Sequence, residues 1–310
     1  MKKSFLVSIV VPVHNEEGNV DPLIIRLKKS LVSIPFELLF INDGSTDATF
    51  EILKQKAHED KRIKIISLTR NFGHQNALMC GYSHVTGDCS IAIDADLQDP
   101  PELIPRMIDK WQQGADIVYA KRKTRNDTFF KKLTAYWFYR LLNFLSDTPI
   151  PADVGDYRLQ DARVTQYLAD LPEHNKFIRG LVAWGGFKED SVYIDRDARH
   201  SGKTHYPLTK MVNFALDGII SFSTKPLRIA TYTGFVTSLL GSIGIIYAIY
   251  RRLFLSHEYW TTGWTGLIVA VLFMGGIQLI TIGIIGEYIA KMYRETQNRP
   301  SYLIGEKINI

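Results

Sequence analysis

Two aspartates separated by one residue, Asp94 and Asp96, form the pattern in this sequence that is best suited to chemistry. They lie in the stretch IAIDADLQDPPELI, after a short apolar run and before a turn with two prolines. Neighbouring carboxylates repel each other unless a cation or a proton lies between them. Mg²⁺ prefers oxygen ligands and often takes several of them from substrate phosphates. The pair therefore indicates a site for a metal ion and a diphosphate, although Asp-x-Asp alone is also common on protein surfaces.

The elements around this pair predict where it lies in the fold. Strand-like apolar runs alternate with helical patterns, which predicts an α/β domain with a largely parallel sheet and helices on both faces. The strand-like runs are FLVSIVVPV, FELLFIND, RIKIISLT, CSIAIDAD and ADIVYAKR. In such sheets, ligands bind outside the carboxyl ends of the strands. Asp43, Asp94, Asp96 and Arg122 all fall at these ends, and their shared location supports a site more strongly than any one of them.

Two amphipathic stretches, at about 128–146 and 208–225, are rich in aromatic and basic residues. They could be helices packed on the core of the domain, or helices that lie in a membrane interface. We prefer the second interpretation because of the segments that follow them.

Two apolar runs, at about 229–250 and 264–286, are each long enough to cross a bilayer, which takes about 20 helical residues. They predict a transmembrane hairpin within residues 226–290, between a catalytic domain at 1–207 and a tail at 291–310. Basic residues flank both ends of the hairpin and place both termini and the catalytic domain in the cytoplasm. Arg251 and Arg252 in the connecting loop oppose this orientation. We therefore expect an integral protein of the inner or plasma membrane.

The length and composition of the chain limit the number of domains, the possible partners and the compartment. The 310 residues allow one large domain or two modest ones, and the net charge of +5 fits an anionic partner or a membrane surface. Cys80 and Cys89 have no metal-binding spacing, and two cysteines do not indicate a disulfide framework, so we expect a reducing compartment. The N-terminal apolar run is short, contains Pro12 and ends in acidic residues, which favours a buried strand over a signal peptide. We expect no nucleic-acid partner.

A set of stretches along nearly the whole chain resembles the inverting family 2 glycosyltransferases with the GT-A fold. These stretches are SIVVPVHNEEGNV, FINDGSTDAT, LTRNFGHQNAL, IAIDADLQDPPELI, DIVYAKR, VGDYRLQD and RDARHSGKTHYPL. The resemblance is greatest to the polyprenyl-phosphate branch, which includes dolichol-phosphate mannose synthase and the bacterial polyprenyl-phosphate glucosyltransferases. It implies transfer of a hexose, with Mg²⁺ or Mn²⁺, from a nucleotide-sugar to a polyprenyl phosphate at the cytoplasmic membrane face. UDP-glucose is the first choice of donor and GDP-mannose the second.

The resemblance also implies roles for individual residues. It places Asp156 beside the sugar and the acceptor, as a catalytic residue with Asp94 and Asp96. Three groups of ligands follow: Pro12, Glu16, Asp43, Asp94, Asp96 and Arg122 for the nucleotide-sugar; Asp94, Asp96 and Gln98 for the metal; and Arg122, Arg196, Arg199, Ser201 and Lys203 for the acceptor phosphate.

The sequence departs from the family pattern at two positions. Asn42 stands where the family often has aspartate, and we expect Asp43 to keep the nucleotide contact. His205 stands where lysine is common, which makes Lys203 the candidate for that charge and leaves the phosphate ligand open.

Simpler structural roles are possible for several of these residues. Asp43 and Asp47 could cap a turn and a helix; we prefer the nucleotide role for Asp43 and the cap for Asp47. Asn71 and Gly73 could equally be turn residues or ligands. His74 is expected behind the site or at the surface rather than as a catalyst. Arg196 and Arg199 could be solvated charges, although arginine suits bidentate phosphate contacts.

The acceptor chemistry limits the role of Asp156. A phosphate monoester has a second pKa near ~6 and is largely dianionic at neutral pH, so it needs little deprotonation. We therefore expect Asp156 to orient the acceptor or to shape the sugar site rather than to remove a proton.

Three other functions fit the sequence less well. A processive polysaccharide synthase would carry a Gln-x-x-Arg-Trp signature and more membrane spans, and this sequence contains no such signature. A membrane-tethered nucleotide-sugar sensor or scaffold is opposed by the intact aspartates and arginines. A transporter subunit would need an oligomer, because two helices cannot enclose a path. Glycines in the predicted hairpin allow helices of different chains to pack, and we expect a homo-oligomer.

Overall fold

The computed structural model describes residues 5–122, 140, 154–173, 177–194, 220, 223–254 and 263–310. Arg196, Arg199, Ser201 and Lys203 lie outside these residues, as do almost all of the two amphipathic stretches.

The described chain contains eight strands in one sheet, in the order β7-β5-β6-β4-β1-β2-β3-β8. Four of the seven strand pairings are parallel, so the sheet is mostly parallel as predicted. The strands are β1 (Val7–Val13), β2 (Phe36–Asn42), β3 (Ile63–Leu68), β4 (Cys89–Ala92), β5 (Ile117–Arg122), β6 (Val154–Asp161), β7 (Glu189–Ile194) and β8 (Ile304–Ile308).

Helices cover both faces of this sheet, because alternate residues of each strand point to opposite faces. Ile9 and Val11 of β1 belong to one core cluster, whereas Val10 belongs to the other. The first cluster packs on α1 (Val20–Ser30), α2 (Thr49–Glu59) and α4 (Ile104–Gln112). The second packs on α3 (His74–Tyr82), α5 (Ala162–Asp170) and α6 (Ile178–Trp184).

Strand β6 lies in the interior of the sheet and runs antiparallel to both β4 and β5. Its polar residues on one face, Asp156, Arg158 and Gln160, lie on the same side as the second core cluster. Arg158 and Gln160 are fully buried. A charged side chain in the sheet interior needs partners, and those of β6 form part of the site described below.

The tail predicted at 291–310 also contributes to the sheet. Strand β8 pairs antiparallel with the edge strand β3. The backbone N–H of Thr69 donates to the carbonyl of Leu303, and the Asn309 side chain donates to the carbonyls of Ala57 and Ile63, both at 2.8 Å. The chain thus returns to the same sheet after the apolar segments.

The apolar segments form two long helices, α7 (Lys225–Phe254) and α8 (Trp264–Thr296). Both are long and apolar enough to cross a membrane, and almost none of their apolar residues is buried in the described structure. The hydroxyl of Tyr288 on α8 donates to the carbonyl of Ser223, just before α7, at 2.6 Å. The helices extend beyond the predicted ranges, and α8 continues without interruption past Glu287 to Thr296.

Candidate active site

A cavity of about 440 Å³ opens at the carboxyl ends of β1, β2 and β4. Its wall contains five of the residues predicted to bind the nucleotide-sugar or the metal: Pro12, Glu16, Asp43, Asp94 and Asp96. The remaining lining residues are Val13, His14, Asn71, Gly73, His74, Ala77 and Ala95. The parallel strands therefore bring together side chains that are more than 80 positions apart in the sequence.

The loop after β4 carries the two aspartates. The strand ends at Ala92, and the carboxylate of Asp96 accepts a hydrogen bond from the backbone N–H of Gln98 at 3.1 Å. Leu97, which lies between Asp96 and Gln98, has φ of +61° and a buried side chain. A left-handed conformation costs a residue such as leucine about 1–2 kcal/mol, so the burial of Leu97 helps to hold this turn.

The donor set of this loop fits a hard divalent cation with an incomplete protein shell. Asp94 and Asp96 both line the cavity, whereas Gln98 is not among its lining residues. In the described part of the chain, no three His, Cys, Asp or Glu residues are grouped to hold a metal ion. A pair of carboxylates suits an ion that takes its other ligands from substrate phosphates and water.

Asp43 organises the opposite wall. Its buried carboxylate accepts hydrogen bonds from the backbone N–H groups of Phe72 and Gly73, at 2.7 and 2.9 Å. Gly73 has φ of +94°, a conformation that favours glycine, and immediately precedes α3. The predicted nucleotide ligand is thus also a structural anchor for the loop that carries Asn71 and Gly73.

The loop after β1 is tied to the loop after β2. The Asn15 side chain accepts from the backbone N–H of Thr46, and the N–H of Glu16 donates to the hydroxyl of Thr49. Asp47 accepts from the backbone N–H of Thr49, the first residue of α2, at 3.0 Å and from that of Glu17 at 3.3 Å. Asp47 thus bonds the first backbone N–H of α2 from the position before the N-cap residue, Ala48.

Asp156 lies behind the cavity in a cluster of donors from three elements. Its carboxylate accepts two hydrogen bonds from Arg179 on α6, both at 3.1 Å. On α3, His74 Nε2 lies 3.5 Å from it and Gln75 donates to it at 3.4 Å. On β6 itself, Arg158 Nη1 lies 4.0 Å away. The Asp156 side chain is only 9% exposed, so these groups replace water around a charge.

These neighbours set the protonation states in the cluster. Burial alone would raise the pKa of Asp156, but His74, Arg179 and Arg158 outweigh it and hold that pKa well below its ordinary value. Burial would lower the pKa of His74, but the carboxylates of Asp156 and Asp94 raise it above its ordinary value. His74 Nε2 lies 3.7 Å from Asp94, so this imidazole links the candidate metal site to Asp156.

Comparison with known proteins identifies the family. The model of glycosyl transferase family 2 matches residues 8–168, more than half of the chain. The chain belongs to this family. A second model, the GtrB C-terminal hairpin, matches residues 225–292. The protein is therefore a glycosyltransferase with a GT-A domain and this type of hairpin.

Relatives from bacteria and phages match over almost the full length. An uncharacterized glycosyltransferase of Bacillus subtilis, YkcC, is 46% identical, over 100% of this chain and 96% of the relative. A prophage bactoprenol glucosyl transferase homolog of Escherichia coli is 45% identical, and the bactoprenol glucosyl transferase of Shigella phage SfX is 43% identical, each over 96% of this chain and 98% of the relative. The crystal structure of mannosyl-3-phosphoglycerate synthase from Rubrobacter xylanophilus has a TM-score of 0.50 and 19% identity, over 72% of this chain and 74% of that one, which supports the fold alone.

Sequence reasoning missed part of this glycosyltransferase's site. It did not select Gln75, Arg158 or Arg179, and it placed His74 behind the site or at the surface, whereas His74 lines the cavity. Arg158 could have been found from the alternation of β6, since it lies two residues after Asp156 on the same face. Arg179 gave no local signal, because its partner lies 23 positions earlier.

The acceptor ligands remain predictions. Arg122 is the last residue of β5, at a strand end as expected, and the structure describes its backbone only. Arg196, Arg199, Ser201 and Lys203 lie outside the described residues.

Proposed function

We propose that this protein transfers glucose from UDP-glucose to the phosphate of a polyprenyl phosphate, with inversion, at the cytoplasmic face of the membrane. One observation carries the proposal: a family 2 cavity and an exposed apolar hairpin occur in one chain that is 43–45% identical, over 96% of its length, to proteins named as bactoprenol glucosyl transferases or a homolog. A GDP-mannose-dependent mannosyl transferase is the alternative, because the described cavity residues favour neither base.

The donor is held between the two tied loops and the loop after β4. Pro12, Glu16 and Asp43 face the nucleoside, and Asp94 and Asp96 face the diphosphate. Asp94 and Asp96 would hold a divalent cation, and a cation held there would supply positive charge to neutralise the leaving nucleoside diphosphate.

Asp156 acts as a fixed anion and not as a base. The acceptor phosphate is already largely dianionic, with a second pKa near ~6, and can attack without losing a proton. The cationic neighbours of Asp156 keep its pKa low, which makes its carboxylate a weak proton acceptor at neutral pH. Its role is to orient the groups that contact it.

The hairpin gives the enzyme access to its lipid. A polyprenyl phosphate keeps its chain in the bilayer and its phosphate at the surface, so the cavity must open towards the headgroups. Helices α7 and α8, with their exposed apolar side chains, would anchor the domain there.

The test is transfer of label to lipid. Detergent-purified protein is incubated with undecaprenyl phosphate, Mg²⁺ or Mn²⁺, and a panel of radiolabelled UDP- and GDP-sugars, and label is counted in the organic phase. We expect lipid-linked label from UDP-glucose, lost with EDTA and with Asp96→Asn. Label from GDP-mannose alone would select the alternative, and donor binding with no transfer from any sugar would reject a polyprenyl-phosphate transferase.

A further inference from the structure

His74 lies between two carboxylates that have different places in the site. Its Nε2 atom is 3.7 Å from Oδ1 of Asp94, a candidate metal ligand, and 3.5 Å from Oδ2 of Asp156. Both distances are longer than a good hydrogen bond, so the imidazole stands between the two carboxylates and is committed to neither. Hydrogen bonds in active sites are often long before substrate binds and shorten afterwards. His74 is therefore placed to connect the metal end of the cavity to the cluster around Asp156.

The neighbours of His74 determine which of its nitrogens carries a hydrogen. An ionised carboxylate can only accept hydrogen bonds, so the nitrogen that faces two carboxylates must be a donor. The two oxygens of an ionised carboxylate offer about four lone-pair positions. A carboxylate can therefore accept from His74 on one oxygen and ligate a cation through the other. The imidazole and a metal ion can hold Asp94 at the same time.

The backbone of His74 is held from the other wall of the cavity. His74 is the first residue of α3. The backbone N–H groups of Phe72 and Gly73, just before it, donate to the buried carboxylate of Asp43. The side chain of His74 is 40% exposed and lines the cavity. The imidazole therefore lies at the boundary between the cavity and the buried cluster, on a backbone that is already fixed.

Asp156 is a firm anchor for this imidazole. Arg179 donates two hydrogen bonds to its carboxylate at 3.1 Å, and Gln75 donates one at 3.4 Å. Asp94, by contrast, lies in the loop after β4, and its side chain is 37% exposed. The contact with His74 thus ties a carboxylate on an exposed loop to one that is fixed inside the domain.

A metal site made of two carboxylates benefits from such a tie. The carboxylates of Asp94 and Asp96 repel each other before a cation arrives, and an N–H group beside Asp94 offsets part of that repulsion. Carboxylates that ligate metals are usually oriented by hydrogen bonds from neighbouring residues. Loss of such a neighbour typically weakens metal binding by about 10–100-fold.

We propose that His74 is a positioning residue for the metal: its Nε2–H group, anchored on Asp156, holds Asp94 in the orientation in which it ligates a divalent cation. The inference rests on the proposed function, which assigns Asp94 and Asp96 to the metal, and it adds the group that orients one of them. It also gives Asp156 a task that involves no proton transfer.

The first test measures metal binding and not sugar transfer. Mn²⁺ is titrated into detergent-purified protein in the presence of UDP, and the free ion is counted by electron paramagnetic resonance. The amide nitrogen of glutamine can take the place of Nε2, whereas that of asparagine reaches only the place of Nδ1. We expect His74→Asn to raise the Kd for Mn²⁺ about tenfold and His74→Gln to restore most of the wild-type affinity.

Two further variants serve as controls for this titration. His58→Asn makes the same change at an exposed histidine of α2. Gln75→Leu removes another donor to Asp156 from α3, but Gln75 is not among the residues that line the cavity. We expect neither control to change the Kd for Mn²⁺ measurably. An unchanged Kd in His74→Asn would overturn the inference, and so would an equal loss in His74→Gln or in Gln75→Leu.

The second test determines whether Asp156 acts through His74. We expect Asp156→Asn to weaken Mn²⁺ binding several-fold in the wild-type background and to have no further effect in the His74→Asn background, because residues that share one contact are not additive. Additive losses would mean that Asp156 acts on the metal independently of the imidazole, and they would reject the anchoring role. If Asp156→Asn does not fold, the comparison of His74→Gln with His74→Asn still decides the inference.

The same titration separates this inference from the proposed function. If wild type binds Mn²⁺ and His74→Asn weakens that binding, the positioning role stands even when no sugar is transferred to lipid, a result that rejects only the proposed function. Failure of wild type to bind Mn²⁺ in the presence of UDP would overturn the positioning role, whatever the transfer assay shows.

Discussion

At the residue scale, two buried carboxylates of the described chain, those of Glu37 and Asp43, are each held by several hydrogen-bond donors. Glu37, on β2, is 4% exposed and accepts hydrogen bonds from Ser8, Lys64 and Thr86. Asp43 accepts from two backbone N–H groups at the cavity wall. The first network supports the sheet and the second supports the site, so changes at the two residues should have different consequences.

We expect Asp43→Asn to weaken donor binding. The amide has nearly the same size, but its NH₂ group would oppose the backbone N–H of Phe72 or Gly73, and an unsatisfied buried donor costs about 1–3 kcal/mol. The Kd for UDP-glucose, measured by calorimetry, should rise about tenfold or more. Asp47→Asn, in the turn before α2, is the control and should lower Tm without this effect. Wild-type donor affinity in Asp43→Asn would mean that the loop does not depend on this carboxylate.

Glu37→Gln should destabilise the protein in a pH-dependent way. Burial would raise the pKa of Glu37, but its bonds to Lys64, Ser8 and Thr86 lower it below the ordinary 4.5. A depressed folded-state pKa stabilises the protein fully above the unfolded value, and this contribution is lost as pH falls through the folded value. We expect a loss of about 3 kcal/mol at pH 7 that shrinks below pH about 4.5.

Thermal unfolding in detergent, from pH 7 to pH 3, would measure this difference. Glu51→Gln is the control, since Glu51 is exposed and pairs only loosely with Lys54 at 3.5 Å. A difference between Glu37→Gln and wild type that stays constant over this pH range would contradict the assigned ionic network.

At the element scale, the strands that can be predicted from the sequence are stabilised by burial of their own apolar residues. The strands that cannot be predicted depend on contacts with other segments. Strands β1 to β5 are short apolar runs with intervening amphipathic helices, so local pattern was enough to predict them. Strand β6 carries buried Arg158 and Gln160. Arg158 bonds Tyr82, 76 positions earlier, and Gln160 bonds Thr165 on the next helix. Strand β8 is short and mostly exposed, and it becomes a strand through its pairing with β3.

The same distinction explains which residues of the candidate site could be predicted from the sequence. The aspartates at strand ends were predictable, because the carboxyl ends of parallel strands share one edge of the sheet. The cluster around Asp156 was not, because it combines side chains from three separate elements, α3, β6 and α6. Arg179 bonds Asp156, 23 positions earlier in the sequence, and no periodic pattern reveals such a contact.

The C-terminal strand should contribute measurable stability. Asn309 has φ of +60°, and its side chain bonds the carbonyls of Ala57 and Ile63. Asn309→Ala removes both bonds and puts alanine in a left-handed conformation, a combined cost of about 2–3 kcal/mol. Differential scanning fluorimetry should show Tm lower by about 5 °C or more. Glu306→Ala, which removes an exposed residue of β8, should shift it by less than 1 °C; equal shifts would show that the side chain of Asn309 is not the anchor.

At the scale of the whole molecule, the apolar hairpin is inserted within the catalytic fold. The chain leaves the sheet after β7, passes through α7 and α8, and returns as β8. If both helices cross the membrane, β7 and β8 must lie on the same side, since they belong to one sheet. Both ends of the hairpin must then lie on the same side of the membrane as the catalytic domain. This conclusion does not depend on the distribution of basic residues around the hairpin.

Cysteine labelling should report this orientation. Both native cysteines are fully buried, so background labelling of the folded protein should be low. We expect a membrane-impermeant maleimide to label His257→Cys, between α7 and α8, in intact bacterial cells, and to label Gln297→Cys, after α8, only once the membrane is permeabilised. Labelling of both sites in intact cells would contradict a spanning hairpin, and the reverse pattern would contradict a cytoplasmic catalytic domain.

The position of β8 also has a consequence for biosynthesis. The strand that covers the open edge of β3 is synthesised after both apolar helices, so the ribosome releases it last among the elements of the sheet. An uncovered strand edge is a site for pairing with other chains. During translation, the edge of β3 must therefore stay free of other chains until both helices have been inserted into the membrane and β8 has been synthesised. The sheet would then be completed only after the helices enter the membrane. Chains that fail to insert would keep the edge of β3 uncovered and would therefore tend to aggregate.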